Sequence, residues 1–162
     1  MIAKLLLLLV VGIALYVAYI GRDRVLEIVF GPVVVEKIDF PSLVLGPKPN
    51  QFLVCPKGYC ISPPDFVSPR FAQSATDLKN SWMAIIAAEP RIERGAVDDT
   101  ALQYEFIQRT KWIGYPDSIT VRFISLSETS STLAIYSRSH YGKSDFGVNE
   151  QRIRAWLVAL GT

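Results

Sequence analysis

The sequence predicts an α+β fold, in which an antiparallel sheet of about four strands carries two amphipathic helices on one face. Two segments, 74–90 and 149–161, each have an apolar stripe with helical spacing. Between them, short segments that alternate apolar and polar side chains are separated by brief turns, as in half-buried strands. An apolar helix and a proline-rich arm precede this part. The predicted divisions are therefore an anchor at 1–21, an ordered arm at 22–70 and the α+β domain at 71–162.

The N-terminal segment is a predicted transmembrane anchor. Its only charged side chain is Lys4, and residues 5–20 are apolar or aromatic without interruption. As a helix, residues 1–21 are about 30 Å long, which matches the hydrocarbon core of a bilayer. The alternative is a cleaved signal peptide, but cleavage requires small residues where this chain has Tyr19 and Ile20. We therefore expect residues 1–21 to contact membrane lipid.

Most of the ten prolines lie between residues 31 and 70. Proline lacks a backbone donor and has a fixed torsion, which excludes long helices and central strands from this segment. Apolar runs such as VVVEKIDF and FLVCP nevertheless require burial. The pattern predicts an ordered arm of short extended pieces that covers the following domain.

The arm contains the only two cysteines, Cys55 and Cys60. Pro56 and Gly58 favour a tight reversal between them, which brings the sulfurs within bridging distance. Two free thiols, a redox pair and a zinc site are the alternatives, although a redox pair usually has two intervening residues and zinc requires about four ligands. A disulfide favours an oxidising compartment. We therefore expect a single-pass protein of the bacterial inner membrane with its soluble domain in the periplasm, and neither a metal site nor a cofactor.

The first helix of the domain has a clear beginning and end. Ser74 and Asp77 have a variant of the capping-box spacing, and Pro90 ends the helical pattern. Leu78 and Trp82 lie along its apolar stripe. This segment is a predicted amphipathic helix.

Strands are predicted at residues 91–97, 101–110, 119–126 and 132–139. The second shows the pattern well, because Tyr104 and Phe106 alternate with Gln103 and Glu105. Brief turns between consecutive strands indicate an antiparallel sheet.

The last helix has local signals at both ends. Asn149 is a predicted cap for a helix starting at Glu150, and Val148 and Ile153 occupy the positions of a hydrophobic staple. Gly161 ends the helix.

The connection between the last strand and this helix is the candidate site. Its glycines, Ser144 and Asp145 are also what a structural turn requires. Cationic side chains and amides near a helix start can instead form a rim that recognises phosphate or carboxylate groups. The candidate binding residues are Arg138, His140, Lys143, Asp145, Asn149 and Arg152.

A hydrolase is the catalytic alternative for the His140–Asp145 turn. It requires Ser139 or Ser144 as nucleophile, His140 as base and Asp145 or Asp117 as the orienting acid. The chain has no G-x-S-x-G nucleophile elbow at this turn. No catalytic residue is therefore predicted.

Several motifs resemble those of domain-of-unknown-function family 1499, an uncharacterised bacterial and plastid family. The C-terminal run R-S-x-x-x-G-x-S-D-x-G-x-N-x-x-R-I at 138–153 carries most of the resemblance. PNQFLVCP at 49–56, Trp82 and YPDSITVRF at 115–123 add to it, and the resemblance covers roughly residues 39–160. It implies a small envelope-associated domain, often tethered to a membrane, and no particular activity.

Charge and composition complete the predicted function. Lys and Arg number 17 against 15 Asp and Glu, which argues against nucleic-acid binding. We expect a membrane-anchored, non-catalytic binding or scaffold protein that is accessory to an integral-membrane protein complex of the envelope. Binding of a lipid or hydrophobic ligand is an alternative, as is the hydrolase. Trp112 and Tyr115 are either contact aromatics or part of the core.

Overall fold

The computed structural model describes residues 2–161, and within that range it contains four α-helices and six strands. In chain order they are α1 Ile2–Ile20, α2 Arg22–Phe30, β1 Gln51–Cys55, β2 Phe66–Val67, α3 Ala75–Ala88, β3 Ile92–Asp98, β4 Gln103–Arg109, β5 Pro116–Ser127, β6 Ser130–Ser139 and α4 Val148–Ala159. The predicted α+β class is confirmed.

The six strands form one mixed sheet in the order β2-β1-β6-β5-β4-β3. The four predicted strands are β3 to β6, and each pairs antiparallel with the next. Beyond β6, β1 pairs with it antiparallel and β2 pairs with β1 in parallel. The expectation of about four antiparallel strands was therefore inexact, because two further strands extend the sheet.

The two additional strands lie in the segment whose prolines predicted an extended arm. Pro49 and Pro56 flank β1 without interrupting it, so every residue of β1 keeps its backbone donor. The two-residue β2 lies at the edge of the sheet, where proline neighbours remove no central hydrogen bonds.

Both domain helices pack on one face of the sheet, which we call the helix face. Trp82 of α3 and Trp156 of α4 meet edge to face, with ring centroids 5.3 Å apart. Ser74 Oγ accepts a hydrogen bond from the Asp77 amide at 3.1 Å, which confirms the predicted cap of α3. The strand side chains in this core are Phe52, Val54, Tyr104, Phe106, Ile119, Val121, Phe123, Leu133 and Ile135.

Arm residues 33–45 cover part of the opposite face, which we call the arm face. Strand alternation directs Leu53 and Tyr136 to this side, where they form a second core cluster with Ile38 and Phe40. The Gln103 amide donates to the Ile38 carbonyl at 2.8 Å and ties the arm to β4.

Cys55, at the end of β1, is disulfide-bonded to Cys60, with their Cα atoms 6.2 Å apart. The turn between them is closed by a hydrogen bond from the Tyr59 amide to the Pro56 carbonyl at 3.1 Å. The predicted disulfide is confirmed.

The N-terminal helix α1 is long and apolar enough to cross a membrane, with a mean hydropathy of 2.4. A signal sequence has the same length and composition, so these properties establish only a candidate span. Gly21, with φ +82°, separates α1 from α2. Unlike α1, α2 packs on the domain: Leu26 is buried, and Phe30 stacks on Tyr141 with ring centroids 5.0 Å apart.

Candidate functional site

A buried polar network joins the end of β6 to the start of α4. Arg152 Nη2 donates to Asp117 Oδ2 at 2.6 Å, and Arg152 Nη1 donates to Asn149 Oδ1 at 2.8 Å. The side chains of Arg152 and Asp117 are only 9% and 4% exposed. Ser139 donates to the second oxygen of Asp117 at 2.5 Å. Both carboxylate oxygens of Asp117 therefore have partners.

Asn149 is the centre of this network and is fully buried. Ser137 donates to Asn149 Oδ1 at 2.5 Å, while Asn149 Nδ2 donates to Asp145 at 2.7 Å and to Ser139 at 3.2 Å. Because its side chain is used in these bonds, Asn149 connects β6 to α4.

The predicted helix cap at Asn149 was wrong. Helix α4 begins at Val148, and the Asp145 carboxylate accepts hydrogen bonds from the backbone amides of Gly147 at 3.1 Å and Asn149 at 2.9 Å. A carboxylate at the start of a helix also interacts favourably with the helix dipole. The Asp145 carboxylate thus stabilises the turn before α4 and the start of the helix.

Strand alternation separates the predicted binding residues. Ser137 and Ser139 point to the helix face, whereas Arg138 between them points to the arm face. There Arg138 lies over the Tyr136 ring at 5.7 Å and approaches Glu36 at 3.6 Å. The structure therefore brings Asp145, Asn149 and Arg152 together and places Arg138 away from them.

The remaining two predicted residues follow β6. His140 lies next to Arg138 in a cavity on the arm face, and Lys143 lies exposed in the loop before α4. The six candidates thus do not form one surface: three belong to the buried network, two line the cavity and one is exposed.

The cavity on the arm face, which we call the arm groove, has a volume of about 430 Å³. Arm residues form one wall and the ends of β1 and β6 form the other. Its polar and charged lining is Glu36, Lys48, Asn50, Gln51, Tyr136, Arg138, Ser139 and His140. Tyr136 donates to Gln51 at 2.6 Å, which orders the floor of the groove.

His140 is the unusual member of the arm groove. Its Nε2 atom is buried and has no hydrogen-bond partner among the residues that the structure describes. Burial lowers the pKa of His140 below its ordinary value of 6.5; the positive charge of Arg138 lowers it further, and Asp117 partly opposes this. The imidazole is therefore neutral at neutral pH, and its unpartnered Nε2 is closed off from solvent.

A family model for "Protein of unknown function (DUF1499)" matches residues 45–160, which include the whole sheet, both domain helices and the network. The chain belongs to this family. A comparison with curated proteins finds no match.

Among solved structures, this family member is similar to the di-domain ARO/CYC BexL from the BE-7585A biosynthetic pathway, at 14% identity and a TM-score of 0.44. The match covers 58% of this chain and 43% of that chain, so it spans less than half of the other protein's length. A similarity at this level does not establish a shared fold.

The structure does not bring together the serine, histidine and aspartate that the hydrolase alternative requires. Ser139 donates to Asp117, and Ser144 Oγ accepts from the Phe146 amide at 3.2 Å. Neither hydroxyl is hydrogen-bonded to His140, whose Nε2 is unpartnered within residues 2–161. Nucleophilic catalysis requires a nucleophile that is hydrogen-bonded to its base, and this arrangement is not present between His140 and either serine.

Sequence reasoning missed Glu36 and Lys48 as groove residues and considered Asp117 only as a catalytic acid. Glu36 and Lys48 lie in the arm, far along the chain from β6. The sequence did contain a signal that Arg138 and Arg152 belong to different sites. Successive residues of a strand point to opposite faces, so Arg138 and Ser139 in β6 cannot lie on the same side of the sheet.

Proposed function

We propose that the protein is a single-pass, membrane-anchored binding protein of the bacterial inner membrane, and that its periplasmic domain docks onto an integral-membrane protein complex through the arm groove. In this proposal it acts as a non-catalytic accessory or scaffold subunit, and the groove receives an acidic segment of the partner. The observation that carries the proposal is that Arg138 and His140, whose Nε2 has no partner within residues 2–161, both line one edge of the groove.

Two features support the location. The α1 helix has the length and composition of a membrane span. The Cys55–Cys60 disulfide is of a kind that persists outside the cytosol. Together they favour a short cytoplasmic tail, one span and a domain on the oxidising side.

The charges in the groove favour a carboxylate ligand. Arg138 is only 24% exposed, and within residues 2–161 the one carboxylate that reaches it within 4 Å is Glu36, which is 71% exposed and 3.6 Å away. The charge of Arg138 also acts on the more distant Glu105, where it opposes the rise in pKa that burial causes. An ion pair as long and as exposed as that with Glu36 contributes roughly 0–1 kcal/mol. A partner's carboxylate that reaches Arg138 in bidentate geometry therefore displaces Glu36 at little cost.

Two further residues affect the charge in the groove. Lys48 supplies a second positive charge at the arm side of the groove. His140 lines the groove as a neutral ring, so it adds no further positive charge beside Arg138. An anchored protein also meets membrane partners at a raised effective concentration, so a groove of modest affinity is sufficient for docking.

The test is co-purification of full-length tagged protein from native membranes in mild detergent, compared across variants. We expect Arg138→Ala to reduce partner recovery at least about tenfold, since a hydrogen bond to a charged group contributes roughly 1.5–3 kcal/mol. Lys143→Ala is the matched control, because it removes one exposed positive charge from outside the groove. Equal loss in both variants, or loss in neither, would contradict docking through the arm groove.

Two more variants separate the alternatives. Glu36→Gln removes the competing carboxylate, so partner recovery should rise. His140→Gln keeps a hydrogen-bonding side chain and should leave docking largely intact, whereas a hydrolase that uses His140 as base would lose its activity. Thiol labelling of intact cells with and without reductant tests the proposed location, and two reactive thiols without reductant would oppose it.

A further inference from the structure

We infer that the loop between β4 and β5, residues 110–115, is a second membrane contact that seats Trp112 and Ile113 among the lipid headgroups beside the outer end of α1. The inference depends on the proposed function only in taking α1 as the membrane anchor. It adds a fixed orientation of the domain on the bilayer.

The sheet register places this loop at one end of the sheet. Arg109, at the end of β4, pairs with Pro116, at the start of β5, and the neighbouring Asp117 pairs with Ser139, at the end of β6. The loops 110–115 and 140–147 therefore leave the sheet at the same end.

Helix α2 holds this end of the sheet close to the anchor. Asp23 lies 3.2 Å from Arg109, and Phe30 contacts the rings of Tyr115 and Tyr141 with centroids 5.7 and 5.0 Å apart. Tyr141 also donates to the Gly31 carbonyl at 2.8 Å. Because α2 follows α1 after the single residue Gly21, these contacts bring the end of the sheet to the end of the candidate span.

The loop itself contacts Arg22, the first residue after Gly21. Arg22 Nη1 donates to the Trp112 carbonyl at 3.3 Å. The Arg22 side chain also lies against Gly114, where a Cβ atom would clash with the guanidinium and where φ is +86°. Glycine at 114 thus allows the loop to close on Arg22, only two residues after the last residue of α1.

The side chains at the tip of the loop are those of a membrane interface. Trp112 is 82% exposed and Ile113 is 51% exposed, although both are large and apolar. The Lys111 ammonium lies 5.0 Å from the centre of the Trp112 ring. Tryptophan is enriched at headgroup level, and lysine beside it is attracted to anionic lipid.

The neighbouring loop has a similar tip. Phe146 is 91% exposed and has a φ of +55°, which is strained for a residue other than glycine. Lys143 is exposed in the same loop. An apolar tip with a flanking lysine therefore occurs twice at the end of the sheet that lies next to the anchor.

The experiment uses the full-length protein in vesicles of phosphatidylglycerol and brominated phosphatidylcholine, with bromines at shallow or deep positions of the acyl chain. Trp82 and Trp156 are buried in the core, so Trp112 is the tryptophan exposed to lipid quenchers. We expect bromines to quench wild-type emission, most strongly at the shallow position. Trp112→Phe should reduce quenching to the baseline of the two core tryptophans, and Ile113→Ser, which keeps the probe, should weaken it.

Flotation of the same vesicles measures anchoring separately. Wild type and both variants should float, because α1 is unchanged. Flotation with equal quenching in wild type and Trp112→Phe would overturn the second contact and leave the proposed anchor intact. Failure of the wild type to float would overturn both.

Discussion

Replacing Arg152 with methionine is expected to destabilise the domain by about 3–5 kcal/mol, because it leaves the Asp117 carboxylate buried and without a counter-charge. Asp117 is 4% exposed, and within the described residues its carboxylate would keep only the hydrogen bond from Ser139. Asn149 would also lose the donor at its Oδ1 atom, where Ser137 alone would remain. Methionine retains most of the aliphatic volume, so the loss measures the polar contacts.

The expected loss is a large part of the 5–15 kcal/mol by which domains are usually stable. For a chain of this size it corresponds to a decrease in melting temperature of about 10 °C. Urea unfolding of the full-length protein in detergent micelles, followed by tryptophan emission, gives the free energy directly. Trp156 lies on the same helix as Arg152 and reports its loss of packing.

Arg154→Met is the matched control. Arg154 pairs with Glu150 at the helix surface, with side chains 45% and 48% exposed, and also lies 5.4 and 5.0 Å from the ring centres of Phe52 and Phe66. Its loss should therefore cost about 1–2 kcal/mol, still below the loss expected for Arg152→Met. The double variant Asp117→Asn with Arg152→Met removes both buried charges and should recover part of the stability lost in the single variant. If Arg152→Met costs no more than Arg154→Met, the reasoning about a buried ion pair is refuted.

Three further predictions concern stability. Reduction of the Cys55–Cys60 bond is expected to lower the free energy of unfolding by about 2 kcal/mol, since the closed loop is short; an unchanged urea midpoint with reductant would contradict this. Burial lowers the pKa of His140 in the folded protein, so the unfolded chain binds the proton first as the pH falls below 6.5. The free energy of unfolding is therefore unaffected by His140 above pH 6.5 and decreases as the pH falls below that value. His140→Gln should make stability less dependent on pH in this range, and a pH profile identical to that of the wild type would contradict the prediction. Phe146→Gly should raise stability by about 0.5–1 kcal/mol by relieving the positive φ, whereas Phe146→Ala, which keeps the strain, should not; equal effects in a thermal melt would disprove the explanation.

Local signals were sufficient for several elements. The cap at Ser74 involves a residue three positions away, and the predicted start of α3 is confirmed. The alternation of Tyr104 and Phe106 predicted β4, because a side chain's face depends on its own position in the strand. Cys55 and Cys60 lie five positions apart, so a tight turn alone could bring them together.

The candidate site was predicted less completely, because its partners are distant in the chain. Asp117 and Arg152 are 35 positions apart, and Glu36 reaches Arg138 from the arm. The cap of α4 illustrates the difference: Asn149 has a good cap side chain, but Ser137, Ser139 and Asp145 compete for it. The Asn149 side chain is therefore used in the buried network and does not cap the helix, and the local sequence pattern does not specify that network.

The sequence alone predicted the apolar N-terminal helix, the α+β class, the disulfide and the family. The first three depend on composition, period or spacing within a few residues, and the family depends on several short motifs spread over residues 45–160. Only the tertiary structure decided that β1 extends the sheet, with Gln51 bonded to Tyr136 across 85 positions. It also decided that Arg138 and Arg152 lie on opposite faces. The physical reason is that strand pairing and burial are set by contacts between distant segments, and the chain pattern around one residue does not specify which distant segment will cover it.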